Sequence, residues 1–266
     1  MGSLPTIRRS LPLTCYFKLP DQGMKSYAVL SRGTCFLTPS LGESSKNRVH
    51  ILASAHVVSP FNFPQYFTED WLSFVSQSDC KYIIHIDGDT TIELENDPVH
   101  HPGGADVSAL RLSSEDVSLQ KLYEYGTVPL ILDDKQTAVR KTLLMVDGFE
   151  VTDDDSDDSS GDDDDFFSEG QSNDNDDRDN RVHVHQIVES LVVSNNLANQ
   201  HLASTAATLT DGYCGAPICR QDDDLRCVGI VEGTVSENSK ETSFHQCASY
   251  IPSPHLKAFL EGVVER

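Results

Sequence analysis

Three residues of this 266-residue chain have the types and settings for nucleophilic catalysis. Cys214 stands in "TDGYCGAPI" (Thr210–Ile218), framed by Gly212 and Gly215. A thiol becomes a strong nucleophile when a base takes its proton. His56 in "ASAHVV" is suited to be that base, and Asp106 in "GADVSALRL" to fix the imidazole tautomer and stabilise its protonated form. Glycines on both sides of Cys214 let the backbone turn sharply and aim N–H groups at a developing oxyanion, where losing one donor costs about 10²–10³ in rate. A second reading of Cys214 stays open, a buried structural thiol, which is a common setting for free cysteine. Asp87, Asp89 and Asp97 are rivals for the orienting role. Asp106 is preferred because it immediately precedes an alternating apolar strand, a rigid support. His183 and His185 alternate on one strand face and His100–His101 sit in a loop, but no third ligand is spaced to complete a site, so neither a metal nor a cofactor is expected.

The elements that must position these residues read mostly as short strands. "LTCYFKL" (Leu13–Leu19) and "YAVLSRGTCFLT" (Tyr27–Thr38) are rich in β-branched and aromatic residues, with the turn "PDQG" between them. "RVHILASAHVV" (Arg48–Val58) starts as a strand, "KYIIHI" and "TTIELEND" flank a turn, and Ala105–Leu112 alternates. "TLLMVDGFEV" and "VHVHQIVESLVV" are a strand pair interrupted by an acidic segment, and "RCVGIVEGTV" with "FHQCASYIP" forms a final hairpin. Only "SPHLKAFLEGVVER" has helical spacing, with Leu256, Phe259, Leu260 and Val263 on one face and Ser253 as N-cap. This pattern predicts an all-β sandwich or barrel with one terminal helix.

Charge narrows the partners. Of the net −22, the segment 151–180 carries −13, from thirteen Asp and Glu169 against Arg178. The remainder is only moderately acidic and has no basic patch to meet phosphates, so no nucleic acid is expected. The acidic segment 151–180 cannot bury enough apolar surface to order itself and is expected to be a disordered insertion. It reads as a solvated spacer or as a docking segment for a basic protein partner, with Phe166 and Phe167 as anchors and Ser156, Ser159 and Ser160 open to an acidophilic kinase. The seven cysteines are odd in number and lack a CxxC pair, which suggests a reducing compartment. No run of 18 apolar residues occurs, so no membrane span is expected. At the N-terminus, "MGSLPT" fits a myristoylation pattern at Gly2, and Arg8 and Arg9 fit a short mitochondrial presequence. The simpler reading is a frayed end.

In their order, these fragments resemble the trypsin-like (chymotrypsin-fold) peptidase superfamily, closest in style to high-temperature-requirement type domains, from about Leu11 to Gly262. "RGTCFLTPS…VHILASAHVV" resembles the family's first hairpin and histidine box, and "ADVSALRL" its aspartate strand. "TAATLTDGYCGAPICRQDDDLRCVGIVEGTV" resembles its nucleophile loop, and "CASYIPSPHLKAFLE" its closing helix. The resemblance implies two six-stranded-type antiparallel barrels with a C-terminal helix. Residues 1–10 would be an extension, 11–125 the first barrel with His56 and Asp106, 126–252 the second with Cys214, and 253–266 the helix. It implies an endopeptidase with a Cys214–His56–Asp106 triad and a peptide or protein substrate, the oxyanion being held by the amides of Gly212 and Cys214. Thr208 would lie near the floor of the first substrate pocket, Glu232, Gly233 and Thr234 along the substrate-pairing edge, and His245 and Gln246 near the pocket wall. The chain departs from the family in having Cys214 for serine, Ala216 for a second glycine, and Tyr213 where secreted trypsins have an acid, so activation by a freed N-terminal amine is not expected. The alternative is a weak or inactive pseudoprotease acting as an interaction module, and a minor reading is an ester hydrolase using the same thiolate. The expected compartment is the cytoplasm, with mitochondrion or nucleus as alternatives.

Overall fold

The computed structural model describes residues 7–41, 48–86, 90–94, 97–113, 115–133, 142–153, 181–197, 200–210, 212–234 and 246–264. Strands dominate, and they form two antiparallel sheets. The first contains β1 (Leu11–Phe17), β2 (Ala28–Pro39), β3 (Arg48–Ala53), β4 (Cys80–His85), β5 (Thr91–Leu94), β6 (Val99–His100) and β7 (Ser108–Ser113), in the order β5-β4-β1-β2-β3-β7-β6. It is a half-barrel. The second contains β8 (Ile131–Leu132), β9 (Leu143–Asp153), β10 (Arg181–Leu197), β11 (Gln200–Thr205), β12 (Pro217–Arg220), β13 (Arg226–Thr234) and β14 (Cys247–Pro252). Here β12 pairs with both β9 and β13, closing a six-strand barrel, and β8 adds to β13 in parallel. The architecture is consistent with the chymotrypsin-like fold. Among the described residues, no strand pairing closes the first sheet.

Three layers of apolar side chains explain the near-continuous burial of β2 and β3. Cys35, Leu37 and Ile51 point into the half-barrel core with Leu11, Leu13 and Leu110. Phe36, Leu52 and Ala109 point the other way, onto Ile230 of the second sheet and onto α3 (Ser253–Val264). A strand buried on both faces must be apolar at successive positions, as "CFL" is. The predicted helical face holds, with Leu256, Phe259, Leu260 and Val263 all buried. No helix among the described residues is long and apolar enough to cross a membrane.

Several local expectations need correction. A second helix, α2 (Val117–Glu124), escaped the sequence reading, because eight residues offer only two buried anchors, Leu119 and Leu122. Its N-cap is Asp116, whose side chain accepts from the Ser118 amide at 2.8 Å. "RVHILASAHVV" is strand only to Ala53; Ala55–Val58 form a single helical turn, α1. His100 lies in β6, not in a loop. The expected disordered insertion starts too early, since Val151–Asp153 are strand paired with Arg181–His183 of β10. Residues 154–180, with Phe166, Phe167 and the three serines, lie outside the described residues, as do Gly2, Asp87, Asp89 and His245. Nor is the whole N-terminus frayed, because Arg8 bonds through its backbone to Gly126 and Val128.

Candidate active site

Strand register brings the first two site residues together. Ala53 at the end of β3 faces Ser108 at the start of β7, so the residues just beyond, Ser54–His56 and Asp106, emerge side by side. His56 Nδ1 lies 2.6 Å from Asp106 Oδ2, and the His56 backbone amide donates to Oδ1 at 2.8 Å. Ser54 occupies the N-cap position of α1, but its hydroxyl donates to Asp106 Oδ2 at 2.6 Å instead of capping the turn. Asp106 is 4% exposed, and these donors satisfy a carboxylate that burial alone would make costly. Asp97, the rival that can be placed, is exposed.

Cys214 comes from the other half of the molecule. Its loop leads into β12 and packs on β2, where Thr34 acts as a clasp. The Thr34 amide donates to the Cys214 carbonyl at 2.9 Å and its hydroxyl to the Gly212 carbonyl at 2.7 Å, while Phe149 N donates to Thr34 Oγ1 at 3.1 Å. Gly215 has φ +90°, and a Cβ there would sit 2.1 Å from the Thr34 carbonyl oxygen, so only glycine fits. Gly212, at φ +103°, is likewise in the left-handed region. The Gly215 amide donates to Val231 O at 2.9 Å and Ala216 N to Tyr213 O at 2.9 Å. Among the described residues, no backbone hydrogen bond from the amides of Gly212 and Cys214 is seen.

The partly buried Cys214 side chain packs against the half-barrel core and lines the same cleft as His56. Burial pulls the His56 pKa down, but the bond to Asp106 and the nearby Cys214 sulfur outweigh it and push the value up to about 10. His56 therefore faces Asp106 through Nδ1, and it shares the cleft wall with Cys214. Phe63, Tyr66 and Phe67 surround the imidazole with ring centroids at 6.1, 5.3 and 6.2 Å. A cleft of about 390 Å³ opens in front, lined by His56, Cys214, Gly212, Phe67, Arg32 and Arg181.

The residues expected to bind substrate divide. Thr208 is exposed in the segment after β11 and is not among the lining residues of this cleft. Beyond Val231, the edge of Glu232–Thr234 that faces the nucleophile loop has no strand partner among the described residues, while the opposite edge pairs with β14. The Glu232 carboxyl lines a separate cleft with His101, His201, Tyr250 and His255. Burial, then the nearby Asp106 charge, raises its pKa. Gln246 is exposed at φ +59° and accepts from Thr205 N at 2.8 Å. No group of three His, Cys, Asp or Glu side chains able to hold a metal occurs among the described residues. His185 is bonded to Asp147, His183 lies against Phe149, and His100 bonds Ser59 and Ser108. Cys219 and Cys227 are fully buried and face each other across β12 and β13.

Ser54, Thr34 and the aromatic trio were missed by sequence reasoning. Ser54 was detectable as the one hydroxyl in an apolar box two residues before His56, and "FNFPQYF" as an aromatic run following it. Thr34 carries no local signal, since its partners lie 115 and 178 residues away. No protein-family model matches the chain, and no curated protein matches it in sequence.

Proposed function

We propose that this protein is a trypsin-like endopeptidase with a cysteine nucleophile. The observation that carries the reading is His56 bonded to the buried Asp106 carboxylate and lining one cleft with Gly212 and Cys214. In the proposed reaction, the thiol proton already rests on His56, whose pKa is raised, and Cys214 Sγ attacks the scissile carbonyl as a thiolate while the Gly212 and Cys214 amides hold the oxyanion. His56 gives the proton to the leaving amine, and a thioester remains on Cys214. Water then attacks the thioester, His56 removing and keeping its proton, and the sulfur leaves as thiolate, which frees the acid. Asp106, held by Ser54 and the His56 amide, keeps the ring in position throughout. Substrate would add as a strand along the free edge at Glu232–Thr234. The proposed setting is the cytoplasm, with a basic protein as the partner of the acidic segment.

The test is a thiol-directed peptide electrophile followed by adduct mapping. The expected result is labelling of Cys214 well ahead of Cys219, slowed in His56→Ala. Equal rates at the two thiols, unchanged by that substitution, would reject the reading. A pseudoprotease scaffold is the alternative, favoured by the large acidic insertion. Cleavage of a peptide library that disappears in Cys214→Ala excludes it.

A further inference from the structure

A second buried polar cluster lies outside the candidate site, and it joins the N-terminal arm to the nucleophile loop. Arg8 fastens to the first half: its guanidinium donates to Ile86 O at 2.6 Å, and its backbone exchanges bonds with Gly126 and Val128. Arg9 turns toward the second sheet, where its Nε donates to Asp147 Oδ2 at 2.8 Å and its Nη1 reaches Asp224. Ser10 donates to Asp147 Oδ1, and His185 Nε2 lies 2.8 Å from the same oxygen. Asp147 is 2% exposed. Burial raises its pKa, but the bonds from His185, Ser10 and Arg9 outweigh this and hold the carboxyl below its ordinary range. A buried carboxylate keeps its place only while its donors remain.

The residues that follow Asp147 in β9 form one wall of the nucleophile loop. Gly148 leaves room for the ring of Tyr213, since a Cβ there would lie 2.7 Å from Tyr213 Cδ1. Tyr213 is the residue before Cys214 and is 2% exposed. The Phe149 amide bonds the Thr34 hydroxyl that in turn holds the Gly212 carbonyl, and Phe149 O lies against Gly212. Three consecutive residues thus lead from the arm's anchor to Gly212 and Tyr213, the two residues before Cys214.

We propose that the N-terminal arm is a positioning element for the nucleophile loop: Arg9 and Ser10, by holding Asp147, keep Gly148 and Phe149 where they brace Tyr213 and Gly212. Neither arm residue touches the reacting atoms, so their effect passes through β9. The link to catalysis rests on the reading of Cys214 as nucleophile, whereas the docking of the arm does not.

The test compares Arg9→Ala, Ser10→Ala and Asp224→Asn in the full chain by hydrogen exchange and by the rate of Cys214 alkylation. In Arg9→Ala, exchange is expected to rise at Phe149 and over residues 212–216 with β3 and β7 unchanged. Alkylation is expected to fall about 10²-fold, the cost of a displacement near 1 Å, and guanidinium ion at sub-denaturing concentration to restore part of it. Ser10→Ala repeats the pattern at smaller amplitude and serves where Arg9→Ala does not fold. Asp224→Asn removes only the charge of the solvent-exposed partner and leaves both readouts unchanged. If peptide cleavage is present, kcat falls while KM holds. Exchange that stays at the wild-type level, or rises equally in both halves, would overturn the proposal. Wild-type Cys214 alkylating no faster than Cys80 would reject the nucleophile reading alone, with the exchange result still deciding the arm.

Discussion

The two halves of the molecule hold their shares of the candidate site by different physical means. In the half-barrel, Asp106 and His56 are fixed by side-chain chemistry, with Ser54, the His56 amide and the imidazole all converging on one buried carboxylate. In the closed barrel, Cys214 is fixed by backbone shape, through two left-handed glycines and two carbonyls clasped by Thr34. A side chain of the same shape but altered chemistry should therefore disable the first half. The second half should fail when atoms are added.

The largest effect is expected from Asp106→Asn. It preserves shape but offers the imidazole the wrong partner, and activity should fall about 10⁴-fold with the fold intact. Circular dichroism and electrophile labelling check this; retained reactivity would break the account of the first half. Next comes Gly215→Ala. Its Cβ would enter the Thr34 carbonyl at 2.1 Å. We expect about 10²–10³ lower activity as the oxyanion amides shift, and about 1–3 kcal/mol or more of stability lost to backbone strain. An unchanged melting temperature would show that the loop is not held by vacant space. Thr34→Val should act more mildly. It leaves the buried Gly212 carbonyl without its hydroxyl donor, costing about 1–3 kcal/mol in urea unfolding. Its effect should fall on Cys214 labelling, while the His56–Asp106 contact persists.

The comparison is sharpened, last, through pH. The folded-state pKa of His56 is raised from 6.5 to about 10. Its stabilising contribution is thus fully present below 6.5 and lost as pH climbs through about 10. The stability difference between wild type and His56→Gln should shrink across that window. A difference that grows with pH would reverse the sign and contradict the charged-imidazole reading.

Much of the framework was legible because strand and helix signals are local. The alternation at Ala105–Leu112 and the apolar face of α3 correspond to observed elements, and β13 with β14 pairs as the final hairpin. α2 was not legible, since two buried leucines in eight residues make a weak period. That no strand pairing closes the first sheet among the described residues was not legible either, because closure depends on which edges meet. His56 and Asp106 were readable from their positions at strand ends. Ser54 and Thr34 were not singled out, since a hydroxyl's role depends on what lies opposite it.

The sequence by itself determined the residue types, the strand-rich periodicity and the concentration of acid in 151–180. Those follow from propensity, hydrophobic period and composition, which act over a few residues. Only the tertiary structure decided that Cys214 and His56 line one cleft, that Thr34 clasps the nucleophile loop across 178 residues, and that Arg9 grips Asp147 across 138. Such contacts leave no local trace in the chain. They arise when two sheets, each burying its own core, bury a third apolar layer between them and bring their strand ends into register.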